Sequence, residues 1–214
     1  MPKLKYKKAA QLPPVPTIPM KGNESFHSAG EEIGFNLIEF WQWTGSHLIS
    51  NTTRGNLAEF IVSRGLGIDS KVRSTWEEYD LKTKSGIRIE VKSSAYLQAW
   101  GQKHYSKPVF GIAPSRAWKP DVGGRAKKAR RHSDVYIFCL LNHKDQATID
   151  PLNVSQWNFF VLRTSILNRH CPNQKTITLG KIRKLGAIEV PYDRLKTIVK
   201  QVKGVNRKKG QAKL

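Results

Sequence analysis

Trp76-Glu-Glu-Tyr-Asp-Leu-Lys-Thr-Lys-Ser-Gly-Ile-Arg-Ile-Glu-Val-Lys92 is the stretch on which the fold turns. Its second half alternates, with Ile87, Ile89 and Val91 separated by Arg88, Glu90 and Lys92. A period of two marks a half-buried strand. Residues 75–83 supply Thr, Trp and Tyr, which suit a pleated surface. Between them Lys84-Ser85-Gly86 reads as a three-residue hairpin loop, with Gly86 where a left-handed φ is needed. Thr83 then pairs with Ile87, Asp80 faces Glu90, and Glu78 faces Lys92. Directly opposed side chains sit about 5 Å apart at Cβ, and like charges there destabilise the ladder. A cation between the carboxylates, or a shifted pKa, resolves that conflict. Oxygen donors of this kind suit Mg²⁺, with Mn²⁺ as a substitute. The plainer alternative is a salt-bridged, exposed strand face in which Glu90, Arg88 and Lys92 meet Glu78, Asp80 and Lys82.

Asp80, nine residues, then Glu90-Val91-Lys92 resembles the PD-(D/E)xK signature of the restriction-endonuclease-like nucleases, with Tyr79 in place of the proline. Arg54-Gly-Asn-Leu-Ala-Glu59-Phe, on a helical stretch, is similar to the first core helix of that superfamily. Arg131-His-Ser-Asp-Val-Tyr-Ile-Phe138 is similar to its next core strand. The likeness covers about residues 51–141. It implies an α/β fold, a mixed central β-sheet flanked by helices. It also implies a Mg²⁺-dependent endonuclease that hydrolyses DNA phosphodiester bonds. Asp80, Glu90, Glu59 and the Val91 carbonyl would be metal ligands, and Lys92 would act beside them as base or charge stabiliser. Gln98 stands where several such nucleases carry a glutamine near the site. Gln102 replaces the tyrosine that the recombination branch has four residues further on. Glu59 lies off its helix's apolar stripe, so it reads equally as a solvated glutamate. DNA defence, repair or mobile-element processing in a prokaryote or virus would suit such an enzyme. The rivals are a catalytically inactive nucleic-acid-binding subunit and a structural subunit with basic arms.

The 214 residues carry 37 Lys and Arg against 16 Asp and Glu, a formal charge of +21. Such a field is a statement about partners, and nucleic acid, most simply double-stranded DNA, leads them. No apolar run approaches the ~18 residues that span a bilayer, so no membrane role is expected. Cys139 and Cys171 make no disulfide framework and fit a reducing, cytoplasmic setting. With His132, His143 and His170 they match no zinc spacing, so structural roles are expected. Cutting both strands would need two sites, which makes a homodimer or a partner subunit plausible.

Residues 1–22 carry Lys3, Lys5, Lys7 and Lys8 and then a Pro-rich run. They read as an extended arm, a loose tail or one lying on phosphates or a partner. Residues 23–203 read as a single nuclease-like domain, and 204–214 as a basic flexible tail. Ile33, Leu37, Phe40 and Trp41 predict a core-packing helix over 28–43 with Ser28 as N-cap. A second helix is expected over 54–64 with Leu57, Phe60 and Ile61 buried, then a short strand over 71–75. The chain is expected to leave the sheet after Lys92. A buried central strand follows over 134–141, and further strands over 157–162 and 176–179. A helical turn is expected over 180–185 and an amphipathic helix over 192–202. Residues 106–132 form a basic run that is either a solvated segment or a phosphate clamp aided by Trp100 and Trp118. The nucleic-acid-binding candidates are Arg54, Gln98, Lys103, Arg125, Lys127, Lys128, Arg130 and Arg131.

Overall fold

The computed structural model describes residues 15–69, 72–73, 77–116, 118–119, 124–125 and 127–204. Lys3, Lys5, Lys7 and Lys8, most of the strand expected over 71–75, Trp76, the side chains of Trp118 and Arg125, and the tail beyond 204 lie outside the described residues.

A five-stranded mixed sheet organises the molecule. Its strands are β3 (Leu81–Lys82), β4 (Arg88–Ala95), β8 (Val135–Leu141), β9 (Trp157–Arg163) and β11 (Ile188–Val190). Their order across the sheet is β11-β9-β8-β4-β3. β4 and β8 run parallel, and the other pairs are antiparallel. Every side chain of β8 is buried, as a strand covered on both faces requires.

One face of the sheet packs Ile89, Val91, Ile137 and Phe159 against α2 (Asn51–Leu66) and α5 (Leu195–Gly204). The other packs Tyr136, Phe138, Leu140 and Phe160 against α3 (Thr164–His170) and α4 (Leu179–Lys184). Each fully buried Phe or Ile stabilises the fold by ~1.5–3 kcal/mol relative to exposure. A small sheet of β5 (Val109–Gly111) and β10 (Thr176–Thr178) flanks the second core. Beyond β5 the basic segment forms β6 (Trp118–Lys119) and β7 (Gly124–Arg125), an antiparallel pair whose neck is the Ser115–Arg130 bridge.

The N-terminal helix expected over 28–43 is not one. The chain makes a hairpin of β1 (Ser25–Ser28) and β2 (Glu31–Asn36), then α1 (Leu37–Gly45). Ala29 and Gly30 both have positive φ, which a tight two-residue turn demands. The N-cap is Asn36, in a capping box with Glu39, so Ser28 does not cap. The i, i+4 spacing of Ile33 and Leu37 bridges a strand and a helix, so it imitated one helical face. No residue of α1 is buried, so it is not a core helix either.

β4 does not leave the sheet at Lys92 but pairs with β8 as far as Ala95. In α2 the buried stripe is Ala58, Ile61, Val62 and Leu66, whereas Phe60 is exposed.

Candidate active site

The hairpin loop sets the register of everything around Asp80. Gly86 has φ +82°, Gly86 N–H donates to the Thr83 carbonyl, and Thr83 N–H donates to the Ile87 carbonyl at 3.0 Å. Leu81 therefore pairs with Ile89 and Lys82 with Arg88. Asp80 comes next, its N–H donating to the Ile89 carbonyl at 3.1 Å. Its Oδ2 accepts from the Val91 N–H at 2.7 Å. With Ile87, Ile89 and Val91 in the core, Glu90 and Lys92 share the opposite face. Lys92 Nζ lies 2.7 Å from Glu90 Oε1 and 3.9 Å from Asp80 Oδ2. All three side chains are largely shielded, at 20, 19 and 31% exposed for Asp80, Glu90 and Lys92.

The electrostatics follow from that crowding. Burial, then the Glu90 carboxylate, pushes the Asp80 pKa up to about 6, against the pull of Lys92 and the Val91 N–H. Burial works to lower the Lys92 pKa, but Glu90 and Asp80 outweigh it and hold the ammonium above its usual value. Two carboxylates pressed together beside one ammonium are oxygen donors of the kind a small divalent cation takes, completed by water.

Glu59 takes a different partner. Its carboxylate holds Arg73 by two bonds, Nε to Oε2 at 2.5 Å and Nη2 to Oε1 at 2.9 Å. It shares with Asp80 the wall of a cleft of about 350 Å³, also lined by Asn56, Arg73 and Tyr79. Among the described residues no three His, Cys, Asp or Glu side chains converge on one point. The expected set of Asp80, Glu90 and Glu59 is thus not assembled around a single ion position, because Arg73 holds Glu59.

Glu78 also departs from expectation. The ladder ends at Leu81, so Glu78 does not face Lys92. It reaches His132 Nδ1 at 3.1 Å and Arg130 Nη2 at 4.0 Å. His132 is buried, and its Nε2 meets the Ser115 carbonyl at 3.0 Å. An Nε2–H donating there leaves Nδ1 of a neutral ring to accept from Arg130 Nε at 3.2 Å, and only the doubly protonated ring donates to Glu78. The neck of the basic hairpin is thereby tied two residues from Asp80. The pairing of Glu78 with His132 was not legible in the sequence, because 54 residues separate the partners.

Two arginines expected to meet nucleic acid are interior. Arg54 is 4% exposed, bonded to the Ile49 carbonyl and Asn51 Oδ1. Arg131 donates to the Ile112, Cys171 and Gln174 carbonyls and to Asn168 Oδ1, so its guanidinium is spent holding loops together. Lys103, Lys127, Lys128 and Arg130 are exposed. Gln98 donates to the Ala95 carbonyl, while Gln102 closes the loop by accepting from Gln98 N–H and donating to Tyr96, His104 and Ser106. A roomier recess of about 770 Å³ lies past the C-terminal end of β4, lined by Lys103, His104, Tyr105 and Lys144. Cys139 and Cys171 are free and buried, one in each core, as structural roles require.

Residues 5–181 match the family model of bacteriophage T4 endonuclease IV. The chain belongs to this endonuclease family. Among curated proteins no significant relative is found. The family match runs through the whole hairpin, the parallel pair β4–β8 and the basic segment between them. No described helix is long and apolar enough to cross a membrane.

Proposed function

We propose that the protein is a Mg²⁺-dependent DNA endonuclease of the PD-(D/E)xK kind, acting on double-stranded DNA in the cytoplasm of a phage-infected cell. The carrying observation is the shielded apposition of Asp80 and Glu90 with Lys92 at 2.7 Å from one and 3.9 Å from the other. Asp80, Glu90 and the Val91 carbonyl would hold the ion, and Mn²⁺ would serve in its place. The bound ion would supply an acidified water and draw charge from the phosphoryl and leaving oxygens. Lys92, hydrogen-bonded to a carboxylate, is placed to donate rather than accept. Its role is to stabilise charge on the pentavalent phosphate and to orient the attacking water. Glu59 joins this set only by exchanging Arg73 for the ion or its water shell.

Exposed Lys127, Lys128 and Arg130 would grip phosphates alongside, because the neck of their hairpin is pinned at Glu78. The capture of Glu59 by Arg73 favours one rival, a fold kept only as a nucleic-acid-binding platform. DNA cleavage with Mg²⁺ separates the two. Cutting that disappears in EDTA and in Asp80→Asn supports the enzyme. Tight, salt-sensitive binding with no cutting in any divalent metal supports the platform.

A further inference from the structure

Residues 22–45 stand apart from both cores. None of them belongs to either buried cluster, and β1, β2 and α1 pack chiefly on one another. The unit closes on itself through Leu37 N–H to the Glu24 carbonyl, Ile38 N–H to the Gly22 carbonyl, and the Phe26 ring tilted against Phe35 at 4.7 Å. That closure leaves many of its apolar side chains bare. Trp43 is 84% exposed, and Ile33, Phe35, Ile38, Phe40 and Trp41 are each above 40%. Single exposed apolar residues are ordinary, but six between Ile33 and Trp43 on so short a unit mark it as interaction surface.

Charge selects the occupant. Between Lys21 and Arg54 the chain has no Lys or Arg, yet it carries Glu24, Glu31, Glu32 and Glu39. Nucleic acid and an anionic membrane are repelled by such a surface. A basic protein surface complements it. The rest of this chain is such a surface, as the formal charge of +21 shows despite these acids. On α4 and α5 alone, Lys181, Arg183, Lys184, Lys196, Lys200 and Lys203 are exposed. Pairing two arms with each other would crowd like charges instead. We propose that the acidic, aromatic arm of residues 22–45 docks on the basic body of a second copy of this chain, reciprocally, closing a two-fold homodimer. The proposal holds whether or not the protein cuts DNA.

The test is sedimentation velocity on the full, nucleic-acid-free chain at micromolar concentration. A dimer is expected. Phe40→Ala with Trp43→Ala, and separately Glu31→Lys with Glu32→Lys, should each weaken it at least tenfold without changing the circular dichroism. Carbodiimide coupling of mixed ¹⁴N and ¹⁵N chains should give mixed-mass peptides joining Glu31 or Glu32 to lysines beyond Arg54. A monomeric wild type, a dimer indifferent to both pairs of substitutions, or links confined to one copy would overturn the proposal.

Discussion

Asp80 holds its proton to about pH 6, whereas an unfolded aspartate loses it near 3.8. The native state therefore binds more protons between these values, and the metal-free protein loses stability as pH rises from about 4 to about 6. Asp80→Asn removes that penalty and can still accept from the Val91 N–H. In EDTA at pH 7 it should gain stability on the order of 1–3 kcal/mol in urea unfolding while losing cleavage. A lower urea midpoint would contradict this. Mn²⁺ affinity, read by calorimetry, should rise with pH through about 6 as Asp80 ionises. Lys92→Ala should cut the rate ~10²–10⁴-fold, a range typical for loss of one positioned proton donor or charge stabiliser. Asp134 behaves in the opposite sense. Burial acts to raise its pKa, but Lys203 and the Arg88 backbone and side chain outweigh this and lower it to about 2. Its contribution is fully present above about pH 4 and is lost as pH falls towards 2. Asp134→Asn should therefore flatten the acid limb of the stability curve, measured by thermal melts from pH 2 to 6.

At the scale of elements, what the sequence revealed was local. Gly86 and the alternation from Ile87 to Lys92 placed the hairpin loop and the Leu81–Ile89 register that sets Asp80 beside β4, because turn chemistry and a period of two are short-range signals. The unbroken apolar run of β8 disclosed a strand buried on both faces. Contacts between distant residues were not legible. Nothing near Glu59 announces Arg73, and nothing near Arg131 announces the carbonyls of Cys171 and Gln174. The N-terminal hairpin was hidden because its apolar residues fall at helical spacing and its turn uses Ala29, an uncommon residue at positive φ. The same long-range packing makes a further prediction. A Cβ at Gly65 of α2 would sit 2.9 Å from the Tyr192 ring and 3.1 Å from Leu195. Gly65→Ala should lower stability by ~1–3 kcal/mol through overpacking, despite the better helix former, as read by chemical denaturation. An increase would mean the Tyr192 ring yields freely.

Across the whole molecule, charge and fold divide the labour. Two buried cores grip the central sheet, the acidic cluster sits at its β3–β4 edge, and a basic hairpin is fastened beside that edge through Glu78, His132 and Arg130. Phosphate contacts release counterions, so DNA affinity should fall steeply with salt. Lys127→Ala with Lys128→Ala should shallow the log–log salt slope by about 2, at ~0.9 per phosphate contact. An unchanged slope would move the DNA path elsewhere, with the recess of Lys103 and Lys144 as the next candidate. On the proposed function, Asp80, Glu90 and Lys92 form one metal-dependent cutting centre. The most direct measurement is the rate of plasmid nicking with Mg²⁺ by wild type, Asp80→Asn and Lys92→Ala at equal DNA occupancy. The structure predicts Mg²⁺-dependent cutting by the wild type and its near-complete loss in both variants, whereas undiminished cutting by either would contradict the account.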